Sequence, residues 1–246
     1  MSGRYRDAIV VVRTWPLGER DRLVLVFGRS HGKVRAVARG TRGARSRLGG
    51  LLQPSVVLDA ELWRGRELDG IAQAQLVAAN LAGRTATDPA RVLWSYELLD
   101  LVDGLTQDRL SDPDLWTLLV RGLALLVDAG SPQLLGALVL RALQISGFAP
   151  VLDVCGVCGA REQLTRLDLV GHEARCERCG GWEVGDVVLR GASLVLEGRT
   201  REGLALCAGA QGRRLEELAT RLAEGVIGRR LRVDGVGWLT DQHAGR

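Results

Sequence analysis

Residues Ser55–Trp63 read SVVLDAELW. Val56, Leu58, Ala60 and Leu62 fall on one side of an extended chain, and Ser55, Asp59, Glu61 and Trp63 on the other. This is the two-residue period of a half-buried β-strand. Working outward, RDAIVVVRTW (6–15), LVLVFG (23–28), KVRAVAR (33–39) and LDGIAQAQL (68–76) are also short and strand-like. Gly, Pro or charged turn residues separate them. Five strands with one long connection predict a small closed barrel of the OB type over residues 1–80; an SH3-like barrel is the alternative.

Near residue 81 the period changes. Asp88-Pro89, Asp112-Pro113 and Ser131-Pro132 each place a capping oxygen ahead of a proline. The oxygen satisfies orphan amides at a helix start, where proline's missing N–H costs nothing. Gly130 and Gly147 are placed as C-terminal stops. The first helix is expected to present Val92, Tyr96, Leu99, Val102 and Leu105 at helical spacing. The second and third are apolar nearly all round, which predicts the centre of a helical bundle. RRLEELATRLAEGVIGRRL (213–231) predicts a last amphipathic helix with Leu215, Leu218, Leu222 and Val226 on one stripe. Residues 184–212 give no clear pattern. The fold class is therefore α+β and multidomain: the barrel, then a helical domain over 81–246 that carries an inserted cysteine module at about 151–182.

The chain has 246 residues, 46% hydrophobic and 25% charged, as a folded protein requires. Its longest apolar runs, LLVRGLALLV and LLGALVLRALQI, are interrupted by arginine and fall short of a bilayer-spanning segment. MSGRYRDAIVVVR has no cleavable apolar region, so a cytoplasmic location without membrane attachment is expected. Charge is unevenly shared. Residues 1–80 carry a net +7 and residues 81–150 a net −3, in a chain of +4. A polyanion partner for the N-terminal end follows.

That charge is concentrated in KVRAVARGTRGARSRLGG, Lys33–Gly50, which has six cations and no acidic residue. On a strand, Lys33, Arg35 and Arg39 share a face with Val37, while Val34, Ala36 and Ala38 face the core. Arg42, Arg45 and Arg47 follow in a glycine-containing loop, expected to be mobile and reaching outward. Guanidinium groups pair with phosphate oxygens, and a groove lined by them tracks a nucleic-acid backbone. A solvated basic loop is the plainer reading, but six unpaired cations would repel one another without a polyanion. The strands carry no recognition helix and no aromatic pair of the RNA-recognition type, so binding of low sequence preference is expected. Tyr5, Trp15, Phe27 and Trp63 are candidates for stacking, though such residues more often fill a core.

Cys155, Cys158, Cys176 and Cys179 form C-x2-C-x17-C-x2-C, within the spacing of a four-cysteine zinc site. Gly159 and Gly180 allow each knuckle to turn sharply. Disulfides suit an oxidising compartment, and an iron–sulfur cluster favours other spacings. One structural Zn2+ per chain is expected, closed to water and so not catalytic. His172 is read as a bystander and Cys207 as a small buried hydrophobe. No phosphate-binding loop, dinucleotide motif, zinc-protease motif or nucleophile elbow is present in the sequence. Asp59 and Glu61 share a strand face and could hold magnesium in a nuclease, but an exposed acidic face is the commoner meaning. The chain is read as non-enzymatic.

The stretch from Arg6 to Leu76, the four cysteines and the tail RLAEGVIGRRLRVDGVGWL together resemble the RecO family of bacterial recombination mediators. HGK, ARG-x-R and LLQP, in that order, are the most specific matches. The resemblance implies an OB domain, a helical domain and a zinc element. It implies binding of single- and double-stranded DNA and annealing of complementary strands. With RecR as partner, it implies loading of RecA onto DNA coated by single-stranded DNA-binding protein, in the nucleoid. The family's DNA-contacting positions fall on Lys33, Arg35, Arg39 and Arg42, with Arg45 and Arg47 as extensions. The aromatic frequent after the LLQP proline is absent, since Ser55 stands there. The helical domain is implied to receive the coating protein's acidic C-terminal tail; Arg121 and Arg141, lone cations on apolar helices, are the candidates, with snorkelling to solvent as their plainer reading. An RNA-binding or transcription-associated zinc-ribbon module is the alternative, and a zinc-dependent hydrolase a more distant one.

Overall fold

A computed structural model describes residues 3–43, 45–79 and 88–232. The change of period near residue 81, the tail beyond Arg232 and His243 lie outside these. Two compact units are present: one holds the described residues up to Asp128 with Arg232, the other Ala129–Leu231.

In the first unit β1 (Arg4–Leu17), β2 (Asp21–Gly28), β3 (Gly32–Ala38), β4 (Val56–Trp63) and β5 (Asp69–Ala79) close into a barrel in the order β1-β2-β3-β5-β4. All pairs are antiparallel except β3 with β5, which meet only at Ala36–Asp69 and Val37–Gly70. This is the OB arrangement, and the five strands read from the sequence are all present. Ile9, Val11, Val24, Val26, Val34, Ala36, Leu58 and Leu62 fill the interior. A short helix, α1 (Arg47–Leu51), lies in the long β3–β4 connection, and Leu48, Leu51 and Leu52 pack into the same core.

The run of valines in β1 is apolar on both sides for a reason. Val10, Val12, Leu25 and Phe27 are buried although they point out of the barrel. The unit's helix α2 (Pro89–Leu105) lies against β1 on the outer side. A strand covered on both faces loses its alternation. Asp88 caps α2 through the Ala90 amide, as its position before proline predicts. The buried surface of α2 differs from the expected stripe. Leu98, Leu99, Leu101 and Val102 are buried together with Ser95, Glu97 and Asp100, while Val92 and Tyr96 stay half-exposed. Charged residues enter this buried face because Asp100 meets Arg13 of β1. Helix α3 (Pro113–Ala129) follows, with Asp112 accepting from the Leu115 amide.

The segment between α2 and α3 returns to the barrel. The Arg109 amide donates to the Lys33 carbonyl at 2.8 Å, and the Arg109 guanidinium reaches Asp69 at 2.8 and 3.2 Å. Asp69 is fully buried and also accepts from the Tyr5 hydroxyl and the Gly65 amide. Burial pushes its pKa up, but bonds from Arg109, Tyr5 and Gly65 and the charge of Arg109 outweigh this, so the carboxyl sits below the ordinary carboxylate value. A depressed folded pKa contributes stability that is complete above the unfolded value of about 3.9 and lost as pH falls through the folded one. Asp69→Asn should therefore flatten the acid limb of a stability–pH curve below about pH 4; an unaltered limb would show that Asp69 does not govern it. Gly32 makes the same return possible. It has φ of +64° and a Cβ there would lie 2.0 Å from the Leu110 carbonyl oxygen. Gly32→Ala is expected to lower stability by about 2 kcal/mol or more, measured as a shifted urea midpoint.

In the second unit α4 (Pro132–Ile145), α5 (Asp186–Leu196), α6 (Thr200–Leu206) and α7 (Ala210–Ile227) surround an apolar centre. Of the two helices read as the middle of a bundle, α4 belongs here and α3 to the first unit. Leu215, Leu218 and Leu222 of α7 are buried as expected, with Val226 half-exposed. Gly136 lets α4 approach the backbone of α7, since a Cβ would lie 2.9 Å from the Leu215 carbonyl. The unread stretch 184–212 supplies α5 and α6. Cys207 is buried there, against Gly191, where a Cβ would lie 2.2 Å from its sulfur. Between α4 and α5, β6 (Leu164–Asp168), β7 (Glu173–Cys176) and β8 (Trp182–Glu183) form a small sheet in the order β7-β6-β8.

Candidate nucleic-acid interface and metal centre

Strand β3 sorts its side chains as its sequence requires. Val34, Ala36 and Ala38 enter the core, and Arg35 and Arg39 are exposed. Arg42, Arg45 and Arg47 are exposed in the following segment. Residues 40–42 and 46–49, on either side of Arg45, carry hydrogen bonds. The Gly40 amide donates to Asp21 at 2.8 Å, the Arg42 amide to the Arg20 carbonyl at 3.0 Å, and the Thr41 hydroxyl to the Ala38 carbonyl at 2.8 Å. Ser46 caps α1 by accepting from the Gly49 amide. The Arg42 guanidinium donates to the Gly18 carbonyl, which aims it along the β1–β2 turn. Arg42 is thus presented on hydrogen-bonded backbone, with less ordering left to do there on binding.

Lys33 behaves differently from the five arginines. Its side chain is only 12% exposed, and its ammonium donates to the carbonyl and carboxylate of Asp103 at 2.8 and 3.2 Å. Asp108 lies 3.9 Å away. The basic run lacks counter-charge in sequence, but the fold supplies it at this position from α2 and the segment after it. Sequence spacing could not reveal this, because the acids lie about seventy residues away.

Phe27 is wholly buried, and Tyr5 is bound to Asp69 with its ring 4.3 Å from that of His31. Trp15 and Trp63 remain half-buried. Asp59 and Glu61 are engaged by cations: Arg6 forks onto Asp59 at 2.9 and 2.7 Å, and Arg4 reaches Glu61 at 3.1 Å. Gln73 also donates to Glu61 at 2.7 Å. Such a balanced ladder is what an ordinary polar strand face contains. Arg121 is exposed on α3, and Arg141 is half-buried on α4 beside Gln144.

In the second unit the four sulfurs of Cys155, Cys158, Cys176 and Cys179 all lie within 4.8 Å of one another. Cys158 and Cys176 stand 3.7 Å apart, close to the roughly 3.8 Å that a tetrahedron of 2.3 Å metal–sulfur bonds requires. Gly159 and Gly180 both adopt φ of +73°, turning the chain back around each pair as the sequence implied. The Gly159 amide donates to the Cys155 carbonyl, and the Cys155 and Gly156 amides tie the first knuckle to Ala160 and Ala174. His172 is not part of the sulfur cluster. Amide bonds from Cys158, then Cys176 and Val157, bring the Cys155 thiol down to about 6. Hydrogen bonds with Cys176 and Cys158, with burial, push Cys179 up to about 12. A bound dication removes that second penalty, because its own charge dominates the local field. The donor set fits a soft or borderline cation held by four thiolates, of which zinc is the ordinary case.

Two family descriptions match this chain: "Recombination protein O N terminal" over residues 1–80 and "Recombination protein O C terminal" over residues 86–224. The chain belongs to the RecO family. A protein of Bifidobacterium longum named DNA repair protein RecO is 40% identical over 179 residues, covering 70% of this chain and 73% of the relative. A protein of Frankia casuarinae with the same name is 39% identical over 178 residues, covering 71% and 73%. The RecO N-terminal match ends at residue 80, just after β5 in sequence, and the C-terminal match begins at residue 86, just before α2. Among the described residues of this RecO-family chain, no helix is long and apolar enough to cross a membrane.

Two features of the site escaped the sequence: the Asp69–Arg109–Tyr5 cluster and the engagement of Lys33. The only signal available was Asp69 itself, a lone acid opening an otherwise uncharged strand, DGIAQAQLVAA.

Proposed function

We propose that this protein binds single- and double-stranded DNA through Arg35, Arg39, Arg42, Arg45 and Arg47, with Lys33 at the rim. It anneals complementary strands and, with RecR, loads RecA onto DNA coated by single-stranded DNA-binding protein. The observation that carries this reading is the set of five exposed arginines on one barrel strand and the connection that follows it, in a chain of the RecO family. Guanidinium groups pair with phosphates whatever the base sequence. The four cysteines hold one structural zinc, whose closed shell leaves no position for substrate. The chain carries out no bond chemistry of its own and works in the cytoplasm, at the nucleoid. Arg121 of the first unit and Arg141 of the second are separate candidates to receive the acidic tail of the coating protein.

Arg39→Glu with Arg42→Glu tests the reading. Affinity should fall for all sequences, and the slope of log affinity against log salt should flatten by about 0.9 per lost contact on duplex and about 0.7 on single strands. A folded double variant that binds as the wild type does removes the proposal. Annealing of coated complementary oligonucleotides, with and without RecR, tests the mediator role. Preference for structured RNA with no annealing would favour an RNA-binding module instead.

A further inference from the structure

The outer row of the barrel that crosses β3 is not uniformly charged. Leu23 pairs with Val37, Val37 with Gly70, and Gly70 with Trp63, so these four positions run side by side across four strands. Leu23, Val37 and Trp63 are half-buried, and none of them belongs to the interior cluster. Arg35 and Arg39 stand two residues to either side of Val37, each about 7 Å away along the chain, and both are exposed. An apolar strip therefore passes between two cations.

Trp63 is seated in this strip by the absence of a side chain. A Cβ on Gly70 would lie 1.9 Å from Trp63 Cε2 and 2.1 Å from both Cζ2 and Nε1. The indole thus rests on the β5 backbone itself. Gly65 borders the ring on another side, its Cβ position 3.5 Å from Cζ3. The Arg39 guanidinium lies 6.0 Å from the ring centroid. A ring held in this way has little rotamer freedom left to lose when something stacks on it.

We propose that Trp63 is a stacking platform for an unpaired base of single-stranded nucleic acid, with Arg39 holding the adjoining phosphate. This rests on the charged-face reading above and adds to it a discrimination between single and double strands. A duplex keeps its base faces covered and can meet only the arginines, whereas a single strand offers both its phosphates and a free π-face. Stacking is indifferent to base identity, which suits a surface without a base-reading motif.

The test is binding of a labelled oligothymidine and of a duplex of equal length by the full chain, each across a salt series. Trp63→Ala should weaken the single strand about 5- to 100-fold, leave duplex affinity within about twofold and leave the salt slope unchanged. Trp63→Phe should retain most of the single-strand affinity. A second arm needs no variant: the wild type should bind an abasic strand of the same length more weakly than oligothymidine by a similar factor. Equal affinities for the abasic and thymidine strands, or a folded Trp63→Ala chain that binds the single strand like the wild type, overturn the proposal. If Trp63→Ala weakens both ligands equally, the ring supports the fold and the platform is rejected. Failure of the charged-face reading is separate, since it appears as an Arg39/Arg42 double variant that keeps both affinities.

Discussion

Cys176→Ser is expected to deprive the chain of its metal and of much of the stability of the Ala129–Leu231 unit. The cysteines are the joint between two knuckles, with Cys155 and Cys176 buried and Cys158 exposed. Around them lie a three-stranded sheet whose strands have five, four and two residues and a single turn of 3-10 helix, Glu177–Cys179. So small a sheet cannot hold itself together by apolar burial. Closed four-thiolate zinc sites carry about 10–16 kcal/mol of apparent binding free energy near neutral pH, far above the few kcal/mol such a sheet can otherwise contribute. Elemental analysis should give one zinc per wild-type chain and none after the substitution, with a lowered thermal midpoint. Cys207→Ser is the control. That thiol is buried, its pKa raised by burial, and it lies outside the sulfur cluster. The control should keep the metal. A metal-free wild type with an unchanged melting curve would contradict the account of this module.

The second large effect lies at the interior charge pair of the first unit. Arg13 of β1 and Asp100 of α2 form an ion pair with side chains 10% and 0% exposed. Asp103 stands 3.5 Å from the same guanidinium, and Asp100 also accepts the Arg232 amide at 3.1 Å. Removing one partner of so buried a pair leaves an uncompensated charge, and Asp100→Ala should cost about 3–5 kcal/mol. Replacing both partners by apolar residues, Arg13→Met with Asp100→Leu, should recover most of the loss, because desolvation of the two charges is then removed as well. Urea unfolding of the two variants measures this. A double variant as unstable as the single one would mean that the pair's hydrogen bonds, and not its buried charge, hold α2 to the barrel.

What was legible in the chain follows from the range of each interaction. The two-residue alternation is a local rule that β4 follows from Leu58 to Trp63, whereas Ser55, placed on the outer side, is buried; the Asp-Pro and Ser-Pro caps are local rules too, and the helix starts follow them. The four cysteines were legible because metal coordination imposes a fixed spacing within each pair. The arginines of β3 could be placed on the outer face from parity alone. By contrast, Asp100 against Arg13 and Lys33 against Asp103 depend on partners brought together by docking of α2, and no short sequence window contains both members of either pair. Trp63 and Gly70 are only seven residues apart, but their contact depends on the β4–β5 register, which residue types alone do not fix. The 184–212 stretch was unreadable for a different reason. Its helices α5 and α6 are short and interrupted by glycines at 198 and 209, both with positive φ. The signals of turn and helix therefore overlap within a few residues.

The central claim, that the outer face of β3 and the connection after it grip nucleic acid, is tested most directly by ultraviolet crosslinking of the full chain to a single-stranded oligonucleotide, with crosslinked peptides mapped by mass spectrometry. Crosslinks are expected within residues 33–47 and at Trp63, lost as salt is raised. Crosslinks confined to residues 129–231, with none on the barrel, would contradict it.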